Sequence, residues 1–327
     1  MAKNETILFA PLNWGLGHAT RSVPLINSFI KKGNKVIIAA NGAPLEFLKL
    51  EFPDLEFIKF ACFKTRYAPK PLFLLFLLLQ MPFFYASIWL EHFKLKAIIK
   101  NHSITTVVSD NRYGLWNKHI KSILITHQLF IQLPKSLKFA EPLLHTITRR
   151  LINNFSECWV PDYEKIEKSL AGKLSHGINL PNNIKYIGPI SRFAGYLPNK
   201  KPEKVYPNVL ILISGPEPQR TLFEAEMEDR FSNSEKKVLI ICGKPSHNNY
   251  NPQNSNPNIT KIAHLNTCEL YHNLINAKHI IARSGYSTIM DLHVLGLKAE
   301  LIATPGQTEQ EYLLEWIKIE DKKRAIF

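Results

Sequence analysis

The sequence predicts an α/β protein made of two doubly wound parallel sheets with a ligand cleft between them. Three observations predict it. Short β-rich apolar runs alternate with helix-length segments along the whole chain, which is the signature of βαβ units. The 327 residues amount to about two domains. One Pro- and Lys-rich stretch interrupts the alternation past the middle. The runs are residues 6–10, 35–40, 55–60, 105–109, 122–126 and 158–160, then 209–213, 238–242, 279–282 and 300–303. Between Gly188 and Pro207 the chain carries Pro189, Pro198, Pro202 and a cluster of lysines. That composition continues neither a strand nor a helix, so two domains are expected, 1–195 and 196–327. Residues 245–257, rich in Asn and Pro, read as an exposed loop. Doubly wound sheets bind ligands beyond the carboxyl ends of their strands, so chemistry is sought just after each apolar run.

Composition narrows the class. Apolar residues make up 45% and charged residues 21%, enough core to exclude disorder as the main state. The four cysteines, Cys62, Cys158, Cys242 and Cys268, lie far apart with no C-x-x-C pair, arguing against a disulfide framework or a zinc knuckle. The first apolar run breaks at Pro11 and is too short for a signal-peptide core, so a reducing, cytoplasmic setting is expected. The net charge of +14 is concentrated: residues 1–195 hold +13 of it and the remainder +1. A field of that sign attracts nucleic acid, an anionic membrane face or a phosphorylated substrate. No RNA- or DNA-binding motif accompanies it, so nucleic acid is not the expected partner.

After the first run comes LNWGLGHATRS, where Gly15 and Gly17 permit a sharp turn and close approach to a ligand. The glycine spacing alone fits an ordinary strand-to-helix turn equally well. His18 sharpens the functional reading, because it opens a helix expected to reach Phe29 and would face the cleft with a pKa suited to accepting a proton. A second strand-to-helix turn is IIARSGYSTIMDLHVLG, in which Arg283, Ser284 and Gly285 precede a helix opening with Ser287 and Thr288. A helix start cradles a diphosphate through its free N–H groups. Asp291, within two turns, is placed to accept hydrogen bonds from both hydroxyls of a ribose. The structural alternative makes Ser287 or Thr288 a helix cap and Asp291 a solvated side chain. A third turn, LIATPGQTEQEYLLEW, masses Gln307, Thr308, Glu309, Gln310 and Glu311 after a strand, a set suited to reading sugar hydroxyls.

Taken together, these segments resemble the MurG-like glycosyltransferases, family 28, whose domains are Rossmann-like and whose fold is GT-B. RSGYSTIMD is similar to their donor-binding RSG-x-x-T-x-x-E segment, with Asp291 at the ribose-binding glutamate. Gln310-Glu311-Tyr312 resembles the sugar-reading Gln-Gln-Tyr, and LNWGLGHATR resembles the Gly-rich GTGGH loop. The segment from Ile187 to Arg192 (IGPISR) is similar to the interdomain G-N-P-V-R, and Ile262-Ala263-His264-Leu265 matches the stretch whose backbone grips uracil. Nearest are uncharacterised relatives with a G-x-G-x-G-H-A-[ST]-R loop. Thr126-His127-Gln128 partly matches the acceptor-side His-Glu-Gln-Asn. His127 and Asp110, each just after a strand, would face the acceptor or line the cleft structurally. The GT-B resemblance also implies a C-terminal helix crossing back to the first domain. Against that expectation, the chain's end at Phe327 reads as a naturally short or trimmed form.

One further segment, PLFLLFLLLQMPFFYASIWL from Pro71 to Leu90, has 16 apolar residues in 20. Its length would allow a membrane span. Pro82 near its middle and its position between two strands of one domain argue against crossing. Lys59, Lys64, Arg66 and Lys70 precede it and Lys94, Lys96 and Lys100 follow, so a helix lying in an anionic interface is expected, with a buried crossover helix as the alternative. The resemblance implies docking on the inner face of the cell membrane.

The combined reading is an inverting, metal-independent transfer of a sugar from a UDP-linked donor to a membrane-associated or envelope acceptor. The nucleotide sugar is a substrate and no cofactor is expected; no Asp-x-Asp metal-ligand pair occurs in the chain. His18 is the expected base, with the helix start at Ser284-Gly285 and Arg192 offsetting charge on the leaving diphosphate. A sugar-nucleotide 2-epimerase of the same architecture and a non-catalytic membrane-docking or nucleotide-binding protein are the alternatives.

Overall fold

A computed structural model describes residues 5–63, 73–196, 207–245 and 256–324. Its first sheet has seven parallel strands: β1 (Thr6–Pro11), β2 (Lys35–Ala40), β3 (Glu56–Lys59), β4 (Thr106–Asp110), β5 (Lys121–Ile125), β6 (Glu157–Val160) and β7 (Ile184–Tyr186). They are arranged in the order β3-β2-β1-β4-β5-β6-β7. The second sheet has five parallel strands, β8 (Val209–Leu212), β9 (Val238–Ile241), β10 (Ile259–Ile262), β11 (His279–Arg283) and β12 (Glu300–Ile302), in the order β10-β9-β8-β11-β12. In both, the order reverses beside the first strand, β1 or β8. The crevice at such a reversal is where this architecture opens a ligand site.

Among the described residues seven α-helices lie between strands and an eighth follows the last one: α1 (Gly17–Lys31), α2 (Gly42–Glu51), α3 (Phe73–His102), α4 (Glu141–Ile152), α5 (Gln219–Arg230), α6 (Thr267–Asn276), α7 (Tyr286–Leu295) and α8 (Thr308–Arg324). Both faces of the first sheet are covered, which is why β1 reads as an unbroken apolar run. Ile7 and Phe9 pack in the layer that contains Ala19, Val23 and Ile26 of α1, while Leu8 and Ala10 pack with Leu95 of α3 on the other face. Phe9 is fully buried, so Phe9→Ala would cost about 3–5 kcal/mol.

The ten expected runs are all strands, with ends that match or differ by one residue. Sequence reading misses β7 and β10. The first is a three-residue edge strand, Ile-Lys-Tyr, and the second, Ile-Thr-Lys-Ile, is short with polar residues at alternate positions. Both lack the long apolar run that marks the central strands. The helix expected from His18 to Phe29 is α1, longer by one residue at its start and two at its end. Lys64, Arg66, Lys70, Pro71, Pro198, Pro202 and residues 246–255 lie outside the described residues.

The apolar stretch enters α3, a 30-residue helix with Pro82 inside it. Among the described residues no helix is long and apolar enough to cross a membrane. Ile88 and Leu95 of α3 are buried, whereas Leu79, Phe83, Trp89, Leu90 and Phe93 are each more than half exposed. Burial therefore accounts for one face of α3 and leaves a row of large apolar side chains uncovered.

Candidate active site

The two sheets meet at a cavity of about 1590 Å³ lined from both halves of the chain. The turn after β1 brings Gly15, Gly17 and His18 to it. Gly15 has φ +73°, a left-handed conformation that favours glycine, and a Cβ there would lie 3.6 Å from the Gly215 backbone of the other half. A Cβ on Gly17 would lie 3.0 Å from Ser287 Oγ. Ser287 donates its hydroxyl hydrogen bond to the Gly17 carbonyl at 2.9 Å, so the first turns of α1 and α7 face each other across the cleft. Gly285 is the N-cap of α7, and no side chain caps that end. The polar Ser287 thus joins the two halves rather than capping its own helix.

His18 is held by a buried cluster. Its Nδ1 lies 3.0 Å from Asp110 Oδ1 and 2.9 Å from Arg21 Nη2. Arg21 Nε donates to Asp110 Oδ2 at 2.7 Å, and Arg21 Nη2 donates to Asp110 Oδ1. Arg21 is therefore already a bidentate donor to the carboxylate. With Nδ1–H also donated to Asp110, Nε2 of His18 keeps its lone pair. Burial lowers the His18 pKa below its usual value, reinforced by the Arg21 charge and opposed by Asp110, so the ring is neutral at pH 7. Burial would raise the Asp110 pKa, but Arg21 and His18 overcome it and hold the carboxylate well below its usual range. The arrangement is a neutral imidazole oriented by a buried anion, the pairing a general base needs. Asp110 itself is fully buried beneath His18 and Arg21.

His127, the other acceptor-side candidate, lines the cavity, but its ring is engaged. It stacks on Tyr286 at 4.0 Å between centroids, and its Nε2 lies 2.8 Å from Glu309 Oε1. Gln128 Nε2 donates to Glu309 Oε2. Glu309 thus ties α8 to the turn after β5, and Thr308 Oγ1 adds a bond to the Gln132 carbonyl at 2.8 Å. Glu309 also lowers the positive field around His18 and Arg21, with which it interacts electrostatically.

The donor-side candidates divide into two groups. Arg192, His264, Leu265, Gly285, Ser287, Thr288, Asp291, Gln307 and Gln310 line the cavity. Asp291 Oδ1 accepts from Ser191 Oγ at 2.6 Å, and burial pushes its pKa up to about 6 against the pull of Arg192. Arg192 has buried Nε and Nη1 atoms with no protein partner, an arrangement suited to an anion entering from the cavity. Burial and Arg192 bring the His264 pKa down to about 4, so its ring is neutral. Arg283, Ser284 and Glu311 sit otherwise. The Arg283 guanidinium lies 3.7 Å from the centre of the Phe223 ring and donates to the Ala303 carbonyl at 2.9 Å. Ser284 is fully buried with its hydroxyl donated to the Gln310 carbonyl at 3.0 Å. Glu311 accepts from the Gly306 N–H at 3.0 Å. These three brace the turns that present the cavity residues; the Ser284 N–H donates to the Ile302 carbonyl at 3.2 Å, so Ser284 itself cradles nothing and that turn reaches the cavity at Gly285.

Sequence reasoning misses Arg21 and Ser191. Arg21 follows His18 by three residues, one helical turn, and that spacing is the signal that would have found it. The Ser191–Asp291 bond joins residues 100 apart and has no local signal.

No family model matches the chain, and no curated protein matches it. Solved structures do. It is similar to the glycosyltransferase of kitacinnamycin, with 13% identity, 97% of this chain and 85% of the other covered, and a TM-score of 0.62. It is similar to Arabidopsis thaliana UGT89C1 complexed with UDP-L-rhamnose, with 13% identity, 95% and 82% covered, and a TM-score of 0.56. It is similar to Acinetobacter baumannii MurG, with 12% identity, 96% and 83% covered, and a TM-score of 0.50. These likenesses extend over almost the whole chain, and with the two parallel sheets they establish that it has the GT-B fold.

Proposed function

We propose that this protein is a glycosyltransferase that moves a sugar from a UDP-linked donor to a membrane-associated acceptor at the inner face of the cell membrane, with inversion at the anomeric carbon and without a metal. The observation that carries the reading is the His18–Asp110 pair at the opening of α1, directly across the cleft from the uncapped start of α7. The acceptor hydroxyl gives its proton to His18 Nε2 as its oxygen attacks the anomeric carbon. The bond from that carbon to the diphosphate breaks on the opposite face. Negative charge growing on the leaving group is met by the helix start at Gly285 and by Arg192, both at the cavity wall. In this reading the first sheet, within 1–195, belongs to the acceptor side and the second, within 196–327, to the donor side. The residue resemblance to the MurG-like family supports this reading, and the structure similar to this chain that was solved with UDP-L-rhamnose supports a nucleotide sugar as donor.

Incubation with labelled UDP-sugars, with and without a membrane lipid extract, tests the reading. Label carried into the organic phase only when extract is present supports sugar transfer. An altered free sugar nucleotide would mean epimerisation, and no product with intact nucleotide binding would mean a binding protein.

A further inference from the structure

The resemblance to the MurG-like family puts sugar reading on Gln310, Glu311 and Tyr312, yet all three side chains are already bonded to backbone. Gln310 Oε1 accepts the Thr304 N–H at 2.9 Å, Glu311 accepts the Gly306 N–H at 3.0 Å, and the Tyr312 hydroxyl accepts the Lys173 N–H at 2.7 Å. They shape the turn before α8 and fix that helix to the first half of the chain. Glu309, one position earlier, is bonded differently. Its two carboxylate oxygens meet side chains from across the cleft, His127 Nε2 at Oε1 and Gln128 Nε2 at Oε2.

His127 Nδ1 is buried without a partner among the described residues, so Nε2 is the nitrogen that carries a proton to donate. Glu309 is thus a carboxylate with one N–H donor on each oxygen, the pattern that two adjacent hydroxyls of a sugar offer. Unlike Asp110, whose side chain is 1% exposed, the Glu309 side chain is 30% exposed and lines the cavity, so an incoming ligand can reach it. Burial would raise its pKa, but His127, His18 and Arg21 outweigh burial and keep the carboxylate ionised at neutral pH. The same interactions place Glu309 in the chamber of the base.

We infer that Glu309 reads the donor sugar, accepting hydrogen bonds from two adjacent hydroxyls that take the places of His127 and Gln128. The substrate class is then a neutral sugar with a free vicinal pair, because an anionic one would meet the Glu309 charge. This rests on the nucleotide-sugar donor proposed above. Hydroxyls and N–H groups compete for the same two oxygens, so the sugar gains only the difference between the two sets of bonds. Removing one protein competitor should therefore tighten binding of the sugar and leave the nucleotide half untouched.

Calorimetry on the full chain compares UDP with UDP-glucose, UDP-galactose and UDP-N-acetylglucosamine, each of which keeps an adjacent hydroxyl pair. The sugar nucleotide that binds most tightly is then carried to the variants. Glu309→Ala should weaken it at least about tenfold while UDP affinity stays within about twofold, because bonds to a charged acceptor are lost from the sugar alone. Gln128→Ala, at a half-buried side chain, should tighten the same sugar nucleotide about threefold or more and again leave UDP unchanged. Should Glu309→Ala fail to fold, Glu309→Gln keeps the size of the side chain and should show a smaller loss of the same sign; the Gln128→Ala measurement depends on neither. A sugar nucleotide weakened by Gln128→Ala, or weakened no more than UDP by loss of Glu309, would overturn this inference and leave the donor reading standing. No binding of UDP would remove the donor reading and this inference with it.

Discussion

Nδ1 of His18 stands 3.0 Å from Oδ1 of Asp110, linking the first turn of α1 to the last residue of β4 at the floor of the cleft. The two residues are 92 apart in sequence and meet because β1 and β4 are neighbours in the sheet, with Pro11 opposite Asp110. Strand pairing thus places a buried carboxylate under the helix that begins just after β1. Asp110 also neutralises Arg21, so one anion orients the imidazole and compensates a buried guanidinium.

Asp110→Asn should accordingly act twice. It leaves Arg21 buried without its anion, which costs roughly 3–5 kcal/mol of stability, and it removes the group that holds His18 in its proton-accepting tautomer. A thermal melt and a turnover assay should both fall, with UDP-glucose affinity in the surviving folded protein little changed. Unchanged melting would show that Arg21 finds another partner.

The pH profile follows from the lowered His18 pKa. A base works in its deprotonated form, so kcat/KM should be flat through neutral pH and fall on the acid side, with the limb below the ordinary histidine value of about 6.5. Rates measured from pH 4.5 to 8.5 check this, and an acid limb above 7 would contradict the burial argument.

Asp291 should control donor affinity. Its carboxylate must be ionised to accept hydrogen bonds from ribose, and its pKa is pushed up to about 6. UDP-glucose affinity should therefore weaken as pH falls from 7.5 through 6 to 5. Asp291→Ala should weaken binding by about 1–3 kcal/mol and flatten that dependence. UDP-glucose is chosen because its diphosphate does not titrate in this range. Equal affinity of variant and parent in calorimetry would remove Asp291 from the donor site.

Much of this arrangement is legible in the sequence because it is local. The turn containing Gly15, Gly17 and His18 and the turn containing Gly285 and Ser287 each announce themselves as a strand, a glycine and a helix start. What is not legible depends on non-local pairing. Nothing near His127 in sequence shows that Glu309, 182 residues away, would occupy its Nε2. Ser284 and Arg283 match a donor motif in sequence, yet their side chains turn inward because the Gln310 and Ala303 carbonyls need donors. The short edge strand β7 escapes notice because its three residues carry no apolar run.

The uncovered face of α3 predicts membrane binding. Leu79, Phe83 and Trp89 are 59%, 68% and 58% exposed, so Leu79→Ser with Phe83→Ser and Trp89→Ser should leave the melting temperature unchanged. The side chains of Leu75 and Phe76, earlier in the same apolar stretch, lie outside the described residues. Co-sedimentation with phosphatidylglycerol–phosphatidylcholine vesicles should be strong for the parent, weaker in high salt without vanishing, and greatly reduced for the triple variant. Equal sedimentation of the two proteins would assign membrane contact to another surface.

His18 as the base of sugar transfer is tested most directly by comparing parent and His18→Ala in label transfer from a saturating UDP-sugar to membrane lipid extract, with donor occupancy checked by calorimetry. Turnover of His18→Ala should fall roughly 10²- to 10⁴-fold at unchanged UDP-sugar affinity. Transfer by the variant at the parental rate with donor bound, or loss of donor binding with turnover per bound donor intact, would contradict it.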